Sequence, residues 1–81
     1  QLENKLSQVT FRVADGSILF SKPASIEALN VRLLDINGRM IAELDMRDEH
    51  VEMALNQLPQ AVYIVQMSSE ALMRTEKIFI F

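Results

Sequence analysis

The chain has 81 residues, 49% of them hydrophobic, with eleven acids against eight bases, a formal net charge of −3 and no cysteine. That length holds one domain with no second lobe or active-site lid, the missing cysteines exclude disulfides and thiolate metal sites, and the acidic balance argues against nucleic acid as a partner. No apolar run approaches the roughly 18 residues of a membrane helix, no signal peptide opens the chain, and a start at Gln1 instead of Met points to a piece of a longer precursor.

Residues 1–8 are polar, with Leu2 and Leu6 four apart, and read as a linker or lead-in; the domain proper is assigned to residues 9–81. Val9, Phe11 and Val13 alternate with Thr10, Arg12 and Ala14, the period of a half-buried strand. Asp15-Gly16 then suits a two-residue hairpin turn, because both residues tolerate positive φ. Ile18 and Phe20 mark a second strand. It stops at Lys22-Pro23, since proline cannot donate to a central ladder.

The middle of the chain carries two periods. Ile26, Leu29, Leu33 and Ile36 keep helical spacing, while Leu29, Val31 and Leu33 also alternate with Ala28, Asn30 and Arg32. Asn37-Gly38, a strong hairpin signal, favours strands, with residues 39–44 pairing back. A charged loop over residues 45–49 leads to alternating Val51, Met53 and Leu55, and Leu58-Pro59 forms the next corner. Residues 61–67 are nearly continuously apolar and read as a central strand buried on both faces. Ser68-Ser69-Glu70 turns the chain, and residues 73–81 form the last strand. Seven short strands at intervals of about 8–12 residues are the rhythm of an all-β sandwich.

Residues for catalysis are hard to find. A nucleophile needs a base and an orienting group, but His50 is the sole histidine and sits between Glu49 and Val51 in a charged stretch. Two separated glycines cannot form a phosphate-cradling loop. Asp45, Asp48, Glu49 and Glu52 cluster in sequence, yet without the ligand spacing or the glycine of a calcium loop. The bases are scattered, at Arg12, Lys22, Arg32, Arg39, Arg47, Arg74 and Lys77 among others. The expectation is a non-enzymatic domain with no cofactor, no metal and no catalytic residues.

Two features point elsewhere. In Leu58-Pro59-Gln60-Ala61-Val62-Tyr63, a tyrosine opens the penultimate strand, where a buried phenol returns its hydroxyl to the backbone of the preceding corner. This makes Tyr63 a fold residue. At the end, Ile78-Phe79-Ile80-Phe81 is apolar in both phases. Either one face fills the core while Phe79 and Phe81 cover a loop, or the strand offers an adhesive surface for a partner.

These same residues resemble the C-terminal sorting domain of the type IX (Por) secretion system. Phe20-Ser21-Lys22-Pro23-Ala24 matches a Tyr-Pro-Asn-Pro-Ala-like entry, and Asp35-Ile36-Asn37-Gly38-Arg39 matches an Asp-x-x-Gly-Arg/Lys hairpin. Residues 55–65 match a Leu-x-x-Leu-Pro-x-Gly-x-Tyr-x-Val segment, and residues 75–81 a Lys-rich terminal strand. Order and spacing agree from residue 17 to 81. The chain departs from the pattern at Ala61, where the family has glycine and where a positive φ would now be strained. It departs again at Phe81, which replaces a terminal lysine and alters the terminal signal.

The resemblance implies an immunoglobulin-like sandwich of about seven short, mostly antiparallel strands. It also implies a signal that directs exported cargo through the periplasm and across the outer membrane, to the cell surface or into the medium. The implied partners are the outer-membrane shuttle protein and the sortase, which commonly removes the domain as cargo is joined to anionic lipopolysaccharide. Pro23, Asp35, Gly38, Arg39, Leu58, Pro59 and Tyr63 carry the fold motifs. Lys77, Ile78, Phe79, Ile80 and Phe81 are the candidate partner contacts, with self-association through the terminal strand also expected. The alternatives are a structural or adhesive immunoglobulin-like accessory module of a secreted protein, and an unrelated helical interaction module.

Overall fold

A computed structural model of the chain describes residues 5–14, 16–55 and 58–80, Lys5 by its backbone alone. A 3-10 turn (Lys5–Gln8) precedes seven strands: β1 (Thr10–Ala14), β2 (Ser17–Ser21), β3 (Leu29–Leu34), β4 (Met40–Met46), β5 (His50–Ala54), β6 (Ala61–Ser69) and β7 (Leu72–Ile80). They form two sheets, ordered β1-β2-β5 and β4-β3-β6-β7, and every pairing is antiparallel. The fold is an all-β sandwich. Strand four lies beside strand three, not on the β1-β2-β5 sheet, so the larger sheet has four strands.

Alternation builds the core. Ile18 and Phe20 of β2, Leu29, Val31 and Leu33 of β3, Tyr63, Val65 and Met67 of β6, and Ile78 and Ile80 of β7 all point between the sheets and are buried. The helical period through Ile26, Leu29, Leu33 and Ile36 is not used. Ile26 is buried in the connection before β3, and Ile36 is exposed on the hairpin after it.

The hairpin at Asp35-Ile36-Asn37-Gly38-Arg39 shows why the motif has its spacing. Gly38 N donates to Asp35 O at 3.0 Å and Asp35 N donates to Arg39 O at 2.9 Å, while Gly38 has φ of 87° and Asn37 does not have a positive φ. This is a three-residue loop in which a type I turn is followed by a left-handed glycine, not a two-residue Asn-Gly turn. The Asp35 carboxylate stabilises it by accepting from Asn37 N and Arg39 N, both at 2.9 Å. Just beyond, the register with β3 skips Ile41. Ile41 and Ala42 both pack against the core, a bulge that inserts one extra residue into the edge strand.

Two sequence expectations change. Residues 61–67 were expected to be buried on both faces, but β6 is covered on one side alone. Val62 is exposed and Ile64 half-buried, because two layers leave the outer face of each sheet without a covering layer. The last turn also falls later than expected: β6 continues through Ser69, and Glu70 and Ala71 turn the chain between the paired Ser69 and Leu72. Glu70 adopts φ of 53°, a left-handed conformation that costs a side-chain-bearing residue about 1–2 kcal/mol. Ala61, standing where the family has glycine, keeps a negative φ and avoids that strain.

Candidate functional site

Three of the four sequence blocks meet at one end of a body measuring 39 × 23 × 17 Å. Leu34, the last residue before the hairpin, pairs with Ile64, which pairs with Lys77; Ala61 after the Leu58-Pro59 corner pairs with Ile80. The corner is fixed by Tyr63, 4% exposed, whose hydroxyl donates to Pro59 O at 2.8 Å. Burying the phenol in this way leaves no unpaired polar atom. Leu58 is half-buried and its N–H donates to Leu55 O at 3.1 Å. Pro23 lies at the opposite end. Its carbonyl accepts from Ile26 N at 3.1 Å, and the adjoining Lys22 N–H donates to Glu49 O at 2.9 Å.

The terminal strand divides its residues between two faces. Ile78 and Ile80 are buried, 8% and 7% exposed, and fill the core; Lys77 and Phe79 point outward, Phe79 at 53% exposed. Phe81 lies outside the described residues. β7 is also an outermost strand of its sheet, so its nine residues present an open edge.

On the outer face of the four-stranded sheet, register sorts the side chains into two halves. Toward the β6–β7 turn the rows read Asp45, Asn30, Ser68, Met73 and then Glu43, Arg32, Gln66, Thr75; toward the other end they read Met40, Leu34, Ile64, Lys77 and then Val62, Phe79. The polar half satisfies itself. Asn30 Nδ2 donates to Glu43 Oε2 and Asp45 Oδ1, each at 3.0 Å, and Arg32 Nε pairs with Glu43 Oε2 at 3.0 Å. The Asn30 amide, then the Arg32 guanidinium, hold the Glu43 carboxyl below the usual carboxylate range.

A shallow groove of about 510 Å³ crosses the three-stranded sheet. Thr10, Ser21 and His50 form one side, Arg12, Leu19 and Glu52 the other. Ser21 Oγ and His50 Nδ1 share a hydrogen bond at 3.2 Å, but among the described residues no carboxylate orients the imidazole. The acids at positions 45, 48, 49 and 52 do not converge either: among the described residues no three metal-ligating side chains come together. No helix among those residues is long and apolar enough to cross a membrane.

Sequence reasoning missed Arg74. Its Nη1 donates to Leu6 O at 2.9 Å and Val9 O at 2.7 Å, its Nε pairs with Glu76 at 2.9 Å, and its guanidinium stands 5.9 Å from the Phe11 ring centroid. These contacts dock the 3-10 turn, and Leu6 is fully buried. It also missed Lys22, whose buried ammonium donates to Ile26 O. The partners of Arg74, 65 and 68 residues away along the chain, leave no periodic signal, although Leu6 in a polar segment was a hint.

The structure thus offers a two-sheet body in which three of the four motif blocks gather beside the edge strand β7. The family model described as a secretion system C-terminal sorting domain matches residues 8–81. The chain belongs to that family, the type IX C-terminal sorting domains. Such a domain is a sorting signal on an exported protein that reaches the cell surface or is secreted. No curated protein matches the chain.

Proposed function

We propose that this domain directs its cargo through the periplasm and across the outer membrane by docking on the type IX shuttle protein and sortase, with β7 as the recognition strand. The supporting observation is the placement of Lys77 and Phe79: both point outward on an edge strand whose neighbours Ile78 and Ile80 anchor it in the core. A recognition strand held in this way is preorganised, which reduces the ordering cost of binding. Its open edge also permits strand addition by a partner or by a second copy of the domain.

The test fuses the 81 residues to a reporter carrying an export signal in a type IX-competent cell. The reporter should reach the surface, and loss of the last five residues should leave it in the periplasm. Because that deletion also removes Ile78 and Ile80 from the core, Phe79→Ser is the companion variant and should reduce display while the domain stays folded. Normal display of both variants refutes the assignment. The groove bounded by Arg12, Glu52, Ser21 and His50 favours a second reading, an adhesive accessory module. Binding of the isolated domain to a glycan array would support it.

A further inference from the structure

The apolar half of the outer sheet face has a feature that the terminal strand alone does not explain. Val62, Met40 and Phe79 are 39%, 51% and 53% exposed, and half-buried Leu34 and Ile64 join them into one continuous surface across four strands. Lys77 stands within it, beside Ile64. The other cations of this sheet have carboxylates: Arg32 has Glu43, Arg39 has Asp35 at 3.7 Å, and Arg74 has Glu76. Lys77 has no ion-pair or hydrogen-bond partner among the described residues.

Covering this surface would take the Lys77 ammonium out of water, and an ammonium buried without a partner is strongly disfavoured. Whatever covers it must supply an anion. A second copy packed face to face does not, because it brings another Lys77 and no free carboxylate from the apolar half. An anionic lipid surface is a poor match as well, since one lysine on a domain of net charge −3 is far from the cationic cluster such surfaces require.

We infer that Leu34, Met40, Val62, Ile64 and Phe79, with Lys77, form the docking face for a protein partner whose own surface is apolar and places a carboxylate opposite Lys77. This rests on the sorting-signal reading and extends the contact from the terminal strand to β3, β4 and β6. Apolar anchors would provide affinity and the charge pair would set register.

The reporter fusion tests the inference. With the unsubstituted domain displayed, Val62→Ser combined with Ile64→Ser should lower surface display about tenfold, while Thr75→Ser on the polar half leaves it unchanged. Lys77→Arg should retain display, Lys77→Met should lower it, and Lys77→Glu should lower it further. Far-ultraviolet circular dichroism of each purified domain checks folding. If the Val62/Ile64 pair unfolds, Phe79→Ser and Lys77→Glu, both at exposed positions, carry the test.

Display of these folded variants at the unsubstituted level overturns the docking face and leaves the sorting role standing. Equal losses for Lys77→Met and Lys77→Glu overturn the carboxylate. A photoreactive amino acid in place of Val62 that crosslinks to a second copy of the fusion overturns the choice of occupant. Failure of the unsubstituted fusion to reach the surface removes the sorting reading itself, and the docking face with it.

Discussion

Replacing Arg74 by alanine should loosen the start of the domain, and its cost follows from what the guanidinium holds. Two carbonyls, of Leu6 and Val9, accept from Nη1 at 2.9 and 2.7 Å. Hydrogen bonds from a charged group contribute about 1.5–3 kcal/mol each. One nitrogen serves both carbonyls and the side chain is 25% exposed, so together they are taken as about 2 kcal/mol. The Glu76 pair, at 41% exposure on the carboxylate side, adds under ~1 kcal/mol, and the Phe11 contact about 0.5.

Arg74→Ala should therefore lose about 3 kcal/mol. For a domain of this size that lowers the thermal midpoint by more than about 12 °C, a large share of a total stability of about 4–12 kcal/mol. Thermal and urea unfolding followed by circular dichroism measure it. The diagnostic comparison is a chain lacking residues 1–8. It has already lost Leu6, so Arg74→Ala on that background should cost about 1 kcal/mol less than in the full chain or better, a coupling that only a shared contact produces. Strictly additive losses would refute the idea that Arg74 acts by docking the turn.

Other substitutions test single contacts. Tyr63→Phe removes the donor to Pro59 O and should cost about 1 kcal/mol, or 4–8 °C in the midpoint; an unchanged midpoint would show that the corner does not depend on that bond. Glu70→Gly relieves a left-handed side-chain residue, so stability should hold or rise by up to ~1 kcal/mol, whereas Gly38→Ala should lose about 1 kcal/mol through backbone strain alone, since a Cβ there meets nothing within 4 Å. The folded Glu43 carboxyl lies below its unfolded value. Its contribution is thus present above the unfolded pKa and disappears as pH falls through the folded one. Glu43→Gln should flatten the acid limb of the stability–pH profile, and an unaltered limb would contradict the assignment.

Local chemistry made much of this fold legible. Alternation at Ile18 and Phe20, at Leu29, Val31 and Leu33, and at Val51 and Met53 places strands and their inward faces, because side chains of a strand alternate with period two whatever lies beyond it. Asp35, Gly38 and the Tyr63 corner were readable for the same reason: each is satisfied by backbone within four residues of itself.

What the sequence could not determine is which faces acquire a cover. The run Val62, Ile64 and Val65 has the composition of a doubly buried strand, yet only the tertiary structure leaves Val62 and Ile64 on an outer face next to Lys77 and Phe79. The same holds for Arg74, whose carbonyl partners lie 65 and 68 residues away. Composition sets how much apolar surface there is to bury. Layer number and register decide which part of it stays exposed.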